Sequence, residues 1–448
     1  MLNELEILTP GQKLRKIRKL IGATQKEVAG EEVTRNLISQ IENGKTKLSM
    51  ATAKAICDNI KLIMNKKNIE NLNITPTPEW LLEDAYTQAN NIADDYIKEF
   101  RSIKLEKKEQ CNFEEKVNEI EGFLNKWDVS LEKKSKIYEI ISDIYLNLSK
   151  LNESFFTIQI SLNLSIQNKK YDESIRLMMA LCKRMDSAGG NALERLRTVH
   201  LALNMYRENN LNNKNLLKKI YFNAALYYSM LKMFDVSIEY INQLIEECSL
   251  STGETLNVNL LKANCYELSN RLNEAERLYL DTLDIALKEY EATVISKIYN
   301  SLGTLYRLKG DRTNSLEYIN YSLKVQADIE ERHYAKTLYY AVENYIEMNN
   351  KDLVLKNFCS ALMWLHKTKN SEMYYELTLK LYNYFINHND YSNIYKLLKK
   401  LEVAIKCKIV ENKESINLFF KTTHIIKSID KEKGDELFDV GIALLELL

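Results

Sequence analysis

Thr34, Arg35 and Asn36 open the run Thr34-Arg35-Asn36-Leu37-Ile38-Ser39-Gln40-Ile41-Glu42-Asn43-Gly44-Lys45, and their side chains are suited to reading base edges. A guanidinium can span two acceptors of guanine, and a carboxamide can pair with both edge groups of adenine. Either contact needs a rigid support narrow enough for the major groove. Thr34 is a preferred N-cap, and Leu37, Ile38 and Ile41 fall at helical spacing on one side. Gly44 sits where a left-handed residue would close the helix. The pattern predicts a short helix that presents Arg35 to guanine and Asn36 to adenine. Thr34, Ser39 and an earlier residue, Gln25, would face bases or nearby sugar-phosphate, and Lys45 and Lys47 would meet phosphates.

The flanking sequence supplies the rest of a small helical module. Gly11 to Leu20 reads as a basic amphipathic helix, with Leu14, Ile17 and either Leu20 or Ile21 on one face. Thr24 followed by Glu27 forms a capping-box pattern that starts a second helix. Ser49 to Ile60 reads as a fourth, with Ser49 as its cap. The segments TQKEVA and TRNLISQIENGK resemble the Xre or phage-repressor type of helix-turn-helix over about residues 10–65. In that resemblance the second of the paired helices enters the major groove. The turn Gly30-Glu31-Glu32-Val33 departs from the pattern by its acidity.

Charge is distributed to match. Residues 1–70 hold 13 Lys and Arg against 8 Asp and Glu, while the whole chain holds 62 of each. The remainder therefore carries the balancing acidic excess. A basic head suits a local contact with double-stranded DNA driven by counterion release, and a weakly acidic body argues against coating nucleic acid along its length. Lys13, Arg15, Lys16, Arg18 and Lys19 read either as part of that contact or as a solvated helix face.

The 448 residues are 45% hydrophobic and 28% charged, enough for more than one core. Prolines occur only at positions 10, 76 and 78. Because proline breaks helix interiors, the rest of the chain is free to be nearly continuous helix. The expected organisation is a head over 1–70, an extended linker over 71–78 around the two prolines, and a helical body over 79–448. Within the body, Tyr228, Tyr266, Tyr306, Tyr345, Tyr384 and His424 recur at intervals of 38, 40, 39, 39 and 40 residues. Each precedes a polar turn and a second amphipathic segment, and Tyr145 begins a similar turn. A helix pair repeated at a fixed interval predicts a solenoid. Two apolar stripes, one from Trp80 to Phe100 and one from Phe113 to Trp127, predict its first pair, separated by a charged break over 104–110. Gly189-Gly190 reads as a turn between helices.

The unit resembles the tetratricopeptide repeat. Tyr299, Leu302-Gly303, Tyr306, Gly310-Asp311, Ser315 and Ile319 stand at that repeat's aromatic, Leu-Gly, Tyr, turn and small-residue positions, although the period exceeds its usual length of about 34 residues. Ala225 and Ala263 replace the Gly303 type in other copies. The fold class so implied is all-α: an N-terminal helix-turn-helix followed by a right-handed α-solenoid of tetratricopeptide-like helix pairs.

A head and body of these kinds, in this order, resemble the RRNPP family of peptide-sensing regulators. The resemblance implies a cytoplasmic homodimer that presents two heads to a pseudo-palindromic operator. It also implies that a short signalling peptide in the groove of the repeats shifts the dimer between arrangements. Taking the tyrosine anchors as equivalent, the polar residues on the inner helices are Asn223, Asn264, Glu267, Lys297, Asn300, Arg307, Tyr339, Glu343 and Tyr382. Asn can hold a peptide backbone through donor and acceptor together, and Lys297 or Arg307 can pair with a carboxylate. Two other readings stay open. The body could bind a response regulator or remove its phosphoryl group, or it could serve dimerisation alone.

Independent enzyme chemistry finds no motif. His200, His333, His366, His388 and His424 are dispersed and make no metal spacing. There is no nucleophile elbow and no dinucleotide glycine pattern. Seven scattered cysteines form no CxxC pair and read as thiols rather than metal ligands or disulfides. No cofactor is expected. No apolar run is long enough to span a bilayer, and the N-terminus lacks a secretory pattern.

Overall fold

Side-chain caps set the starts of the first helices. Thr9 accepts from the backbone of Gln12 and opens α1 (Pro10–Leu20), with Pro10 at the first turn, where its missing N–H costs nothing. Thr24 and Glu27 form the expected capping box at the start of α2 (Gln25–Ala29). Thr34 caps α3 (Arg35–Glu42) and Ser49 caps α4 (Met50–Lys66). The computed structural model describes residues 7–69, 76–102, 110–187, 191–289, 291–325, 331–411 and 413–446. All regular structure among them is helical. Two compact units divide the chain, Met1–Ile220 and Tyr221–Leu448.

In the first unit, α1 to α4 close around Leu14, Ile17, Ile21, Val28, Ile38, Ile41, Ile56 and Ile60. Ile21, not Leu20, completes the buried stripe of α1, and Leu20 is exposed. The helices meet closely at Gly11, where an added Cβ would lie 2.0 Å from the carbonyl oxygen of Ile41.

The expected linker falls largely outside the described residues. Thr77 is extended and caps a short helix, α5 (Pro78–Leu82), with Pro78 as its first residue. Leu81 is buried in the head's core with Trp80 packed against it, so these two residues serve the head and not the first pair of the body. The Lys13 ammonium is buried and holds the end of α5, donating to the carbonyl of Trp80 at 2.7 Å and to the Glu83 carboxylate at 3.1 Å. A cation there satisfies carbonyls that the helix end leaves free.

The next two helices, α6 (Ala85–Ser102) and α7 (Gln110–Lys126), form the pair the apolar stripes predict. Ile92, Tyr96, Phe100, Phe113, Val117, Ile120 and Leu124 share one core. The Gln88 amide clasps the backbone N–H and carbonyl of Leu8, which ties the chain before α1 to α6. Pairs follow: α8 (Leu131–Asn147) with α9 (Leu151–Gln167), then α10 (Tyr171–Ser187) with α11 (Ala192–Glu208). The charged break at 104–110 and the Gly189-Gly190 turn lie almost wholly outside the described residues.

Helix pairs continue from α12, which crosses the boundary of the two units, to the end of the second unit. Their first helices are α12 (Lys214–Met230), α14 (Thr252–Leu268), α16 (Ala292–Leu308), α18 (Glu331–Glu347), α20 (Ser371–Asn387) and α22 (Lys413–Lys427). Their second helices are α13 (Phe234–Glu247), α15 (Leu272–Glu289), α17 (Arg312–Val325), α19 (Lys351–Lys367), α21 (Tyr391–Lys406) and α23 (Lys431–Leu445). Every periodic anchor from Tyr228 to His424 stands in the last turn of a first helix. The turns that follow take a left-handed residue at Lys232, Asn270, Gly310, Asn349 and Asn389. Glycine and asparagine adopt that conformation at least cost, which explains the Asn-rich turns.

Within a pair the helices touch through small residues twelve positions apart. Ser315 Oγ donates to the Gly303 carbonyl at 2.6 Å, and Ser237 Oγ donates to that of Ala225 at 2.7 Å. Ser142 and Ser154 each donate to the other's carbonyl, at 2.7 and 2.8 Å. A Cβ at Gly303 would come within 2.6 Å of Ile319 Cγ1. These recurring contacts identify the tetratricopeptide-like unit independently of its length.

Candidate nucleic-acid interface and the polar face of the repeats

The apolar side of α3 is fixed by Ile38 and Ile41, both buried. Its opposite side is therefore turned out. Thr34, Arg35 and Asn36 are exposed, and Ser39 is half-buried. Gly44 has φ of 70°, and the N–H of Lys45 returns to the Gln40 carbonyl at 2.8 Å, so the chain turns sharply after α3. Lys45 and Lys47 are exposed just beyond that turn.

Gln25 is held in place. Its Nε2 donates to Glu42 at 2.9 Å, and Arg18 grips the same carboxylate with bonds of 2.6 and 2.9 Å. Burial alone would push the Glu42 carboxyl up, but the bonds from Arg18 and Gln25 outweigh it and hold the group below its ordinary value. Arg18 and Lys13 are thus structural cations, neither solvated nor free for phosphate. Arg15 and Lys19 remain exposed on α1.

Gln40 and Asn43 were not foreseen. They follow Asn36 at i+4 and i+7, Gln40 on the same face of α3 and Asn43 at its C-cap, and both are exposed. That spacing was the available signal. Gln40 accepts from Thr46 Oγ1 at 3.1 Å. Glu31 and Glu32 are exposed before α3, which leaves the acidic turn open to solvent.

The nine residues predicted for the repeats lie on α12, α14, α16, α18 and α20, and the structure gathers several of them. Tyr279 links Asn264 and Glu267, its hydroxyl lying 2.5 Å from Asn264 Oδ1 and 2.8 Å from Glu267 Oε2. Burial pushes the Glu267 carboxyl up, against the Tyr279 bond and the charges of Lys336 and Arg307. Arg307 donates to Glu347 at 3.1 Å and lies 3.9 Å from Glu343. Tyr339 stands 2.9 Å from both Glu343 and Glu376, and Lys380 pairs with Glu343. Asn300 donates to Thr337 at 2.7 Å. Lys336, Glu347, Glu376 and Lys380 complete this network and were missed, although Lys336 and Glu347 share the helical spacing of Glu343.

The other predicted positions differ. Tyr382 is buried and accepts from Thr422 at 3.1 Å, away from the charged cluster. Asn223 and Lys297 are half-buried. Of the nine predicted residues, two keep a buried atom without a hydrogen-bond partner among the described residues, Asn300 at its Oδ1 acceptor and Arg307 at its Nε donor. Buried groups of this kind are normally paired, so each can take a ligand's N–H or carbonyl.

Among the described residues no group of three or more His, Cys, Asp and Glu is arranged to hold a metal. Among the same residues no helix is long and apolar enough to cross a membrane.

The head and the body together define a helix-turn-helix unit joined to helical repeats. The helix-turn-helix family matches residues 14–62. Among solved structures, the chain is similar to the apo form of the quorum sensor NprR from B. thuringiensis, at 16% identity with a TM-score of 0.49, covering 80% of this chain and 99% of that one. It is similar to PlcR from Bacillus thuringiensis, solved with the peptide PapR7 and DNA, at 15% identity with a TM-score of 0.23, covering 77% and 99%. It is also similar to BtubC from P. vanneervenii, at 14% identity with a TM-score of 0.39, covering 53% and 91%. No curated protein matches the chain in sequence.

Proposed function

We propose that this chain is a cytoplasmic transcriptional regulator that binds operator DNA through α3 and is switched by a short signalling peptide held against α14, α16 and α18. The helix-turn-helix match over residues 14–62 and the exposed face of α3 support the DNA contact. Arg35 and Asn36 read bases, with Thr34 and Ser39 beside them. Gln25, Lys45 and Lys47 meet the backbone, with Gln25 oriented by Glu42. A homodimer places two heads on a pseudo-palindromic operator.

The peptide reading is supported by the unpaired Asn300 Oδ1 and Arg307 Nε beside a partly exposed ion network centred on the buried Glu343. A peptide backbone offers the complementary donor and acceptor. A peptide carboxylate would compete with Glu343 and Glu347 for Arg307 and so rearrange contacts between α16 and α18. The peptide can shift the equilibrium between two arrangements only by its difference in affinity for them.

Selection of genomic fragments by the purified chain, with and without the short peptide encoded beside its gene, tests both parts. Enrichment of a two-half-site sequence that the peptide alters is the expected result. Enrichment that ignores the peptide would reassign the repeats to a protein partner. Absence of enrichment would remove the DNA-binding role.

A further inference from the structure

Two surfaces of the second unit carry complementary features. One is a trough of about 460 Å³ between α19 and α21, lined by Met363, Val403, Tyr374 and His366 together with Lys396, Lys399 and Lys400. Met363 and Val403 are 54% and 52% exposed. The ion pairs of α21 are made by Lys399 and Lys406, which leaves Lys396 and Lys400 outside any ion pair among the described residues. His366 Nε2 is buried there without a hydrogen-bond partner.

The other surface is the outer side of α23. Leu437, Gly441 and Leu444 pack inward, while Phe438, Ile442 and Leu445 repeat at i, i+4 and i+7 on the outside, each more than two-fifths exposed. Asp439 and Glu446 border this stripe. The carboxylates of α23 that do pair are Asp435, with Lys427, and Glu436, with Lys399 on α21 of the same chain, so the stripe of Phe438, Ile442 and Leu445 lies on another side of α23 from that contact.

We propose that these surfaces bind each other across a two-fold axis, with α23 of one copy seated in the α19–α21 trough of a second copy, and the reverse. An apolar stripe edged by carboxylates meets an apolar trough edged by ammonium groups. Asp439 and Glu446 of one copy face Lys396 and Lys400 of the other. Because one chain carries both halves, the contact closes as an isologous dimer with two such seats. An open trough with exposed walls suits a row of helix side chains better than an enclosed small molecule. The inference rests on the homodimer in the function proposed above and gives that dimer its interface, but it requires neither DNA nor peptide.

Sedimentation of the full chain tests it. The wild type should be a dimer. Phe438→Asp should raise the dimer dissociation constant by roughly 30-fold or more, as loss of an aromatic anchor does; because the Phe438 ring also meets Phe420 of its own chain edge to face, circular dichroism of the variant checks that the fold is kept. The pair Lys396→Glu with Lys400→Glu should weaken the dimer, and so should the pair Asp439→Lys with Glu446→Lys. All four together should restore it, which misfolding cannot mimic. A monomeric wild type, a dimer indifferent to these changes, or failure of the fourfold exchange to restore it would overturn the interface. Fragment selection by the same wild-type preparation keeps the two proposals apart. DNA enrichment with an indifferent dimer removes only the interface, and a responsive dimer without enrichment removes only the function.

Discussion

Arg35 is exposed at the start of α3 and serves no packing role, so its replacement reports on DNA rather than on folding. Arg35→Ala should cost about 1–3 kcal/mol on the preferred site and relax specificity at one base, whereas Lys45→Ala should weaken all sequences alike and lower the salt slope by about one. Anisotropy titrations on the selected and a scrambled duplex, at several salt concentrations, separate the two. Equal losses on both duplexes would remove Arg35 from base reading. In the repeats, Glu267 gives a pH prediction. Burial raises its carboxyl above the ordinary value of 4.5. The folded chain therefore holds this proton to higher pH than the unfolded chain does. The group's contribution to stability declines as pH rises from that ordinary value through the folded one. Glu267→Gln keeps an acceptor for Tyr279 and removes the ionisation. It should raise the melting temperature at pH 8 and leave it unchanged at pH 4, and an equal change at both would assign the effect to packing instead.

At the scale of elements, α1 is set against α3 by Gly11. The Ile41 carbonyl oxygen would sit 2.0 Å from an added Cβ, and a backbone atom cannot swing aside. Gly11→Ala should destabilise the head by about 1–3 kcal/mol, as overpacking does, and loss of DNA binding should track the melting temperature of the head. A head that melts at the wild-type temperature would show that α1 shifts without cost. The helices themselves were legible because their caps and stops are local: Thr24, Thr34, Ser49 and Gly44 act through hydrogen bonds within four residues. The repeat register was legible for the same reason, since Tyr266, Tyr306, Tyr345 and Tyr384 each precede a turn with Asn or Gly at its left-handed position. Contacts between distant segments were not. Nothing in the run around Trp80 says that Lys13, 67 positions earlier, closes the end of α5. The groove residues show the same limit. Helical spacing places Glu343 and Tyr339 on one side of α18, but only the crossing of α18 with α20 reveals that Lys380 and Glu376 complete their network.

For the whole molecule, charge is segregated by sequence. The first 70 residues hold 13 cations against 8 anions in a chain that nets to zero. DNA should therefore be gripped by the heads alone, and the number of phosphates contacted should follow the number of heads bound. Each neutralised phosphate adds about 0.9 to the steepness of log K against log salt. On a duplex holding both half-sites, the dimer should show about twice the slope of the Phe438→Asp variant, whose heads bind singly. The substitution changes none of the residues proposed to touch DNA, since Phe438 lies on α23 and those residues lie in or beside α2 and α3. The comparison is sharper than affinity, since losing one head lowers affinity for several reasons but halves the slope for only one. A variant that is monomeric by sedimentation yet keeps the full slope would mean that the repeats also touch DNA, in spite of their acidic balance. A wild type with the variant's slope would mean that only one head reaches the duplex at a time.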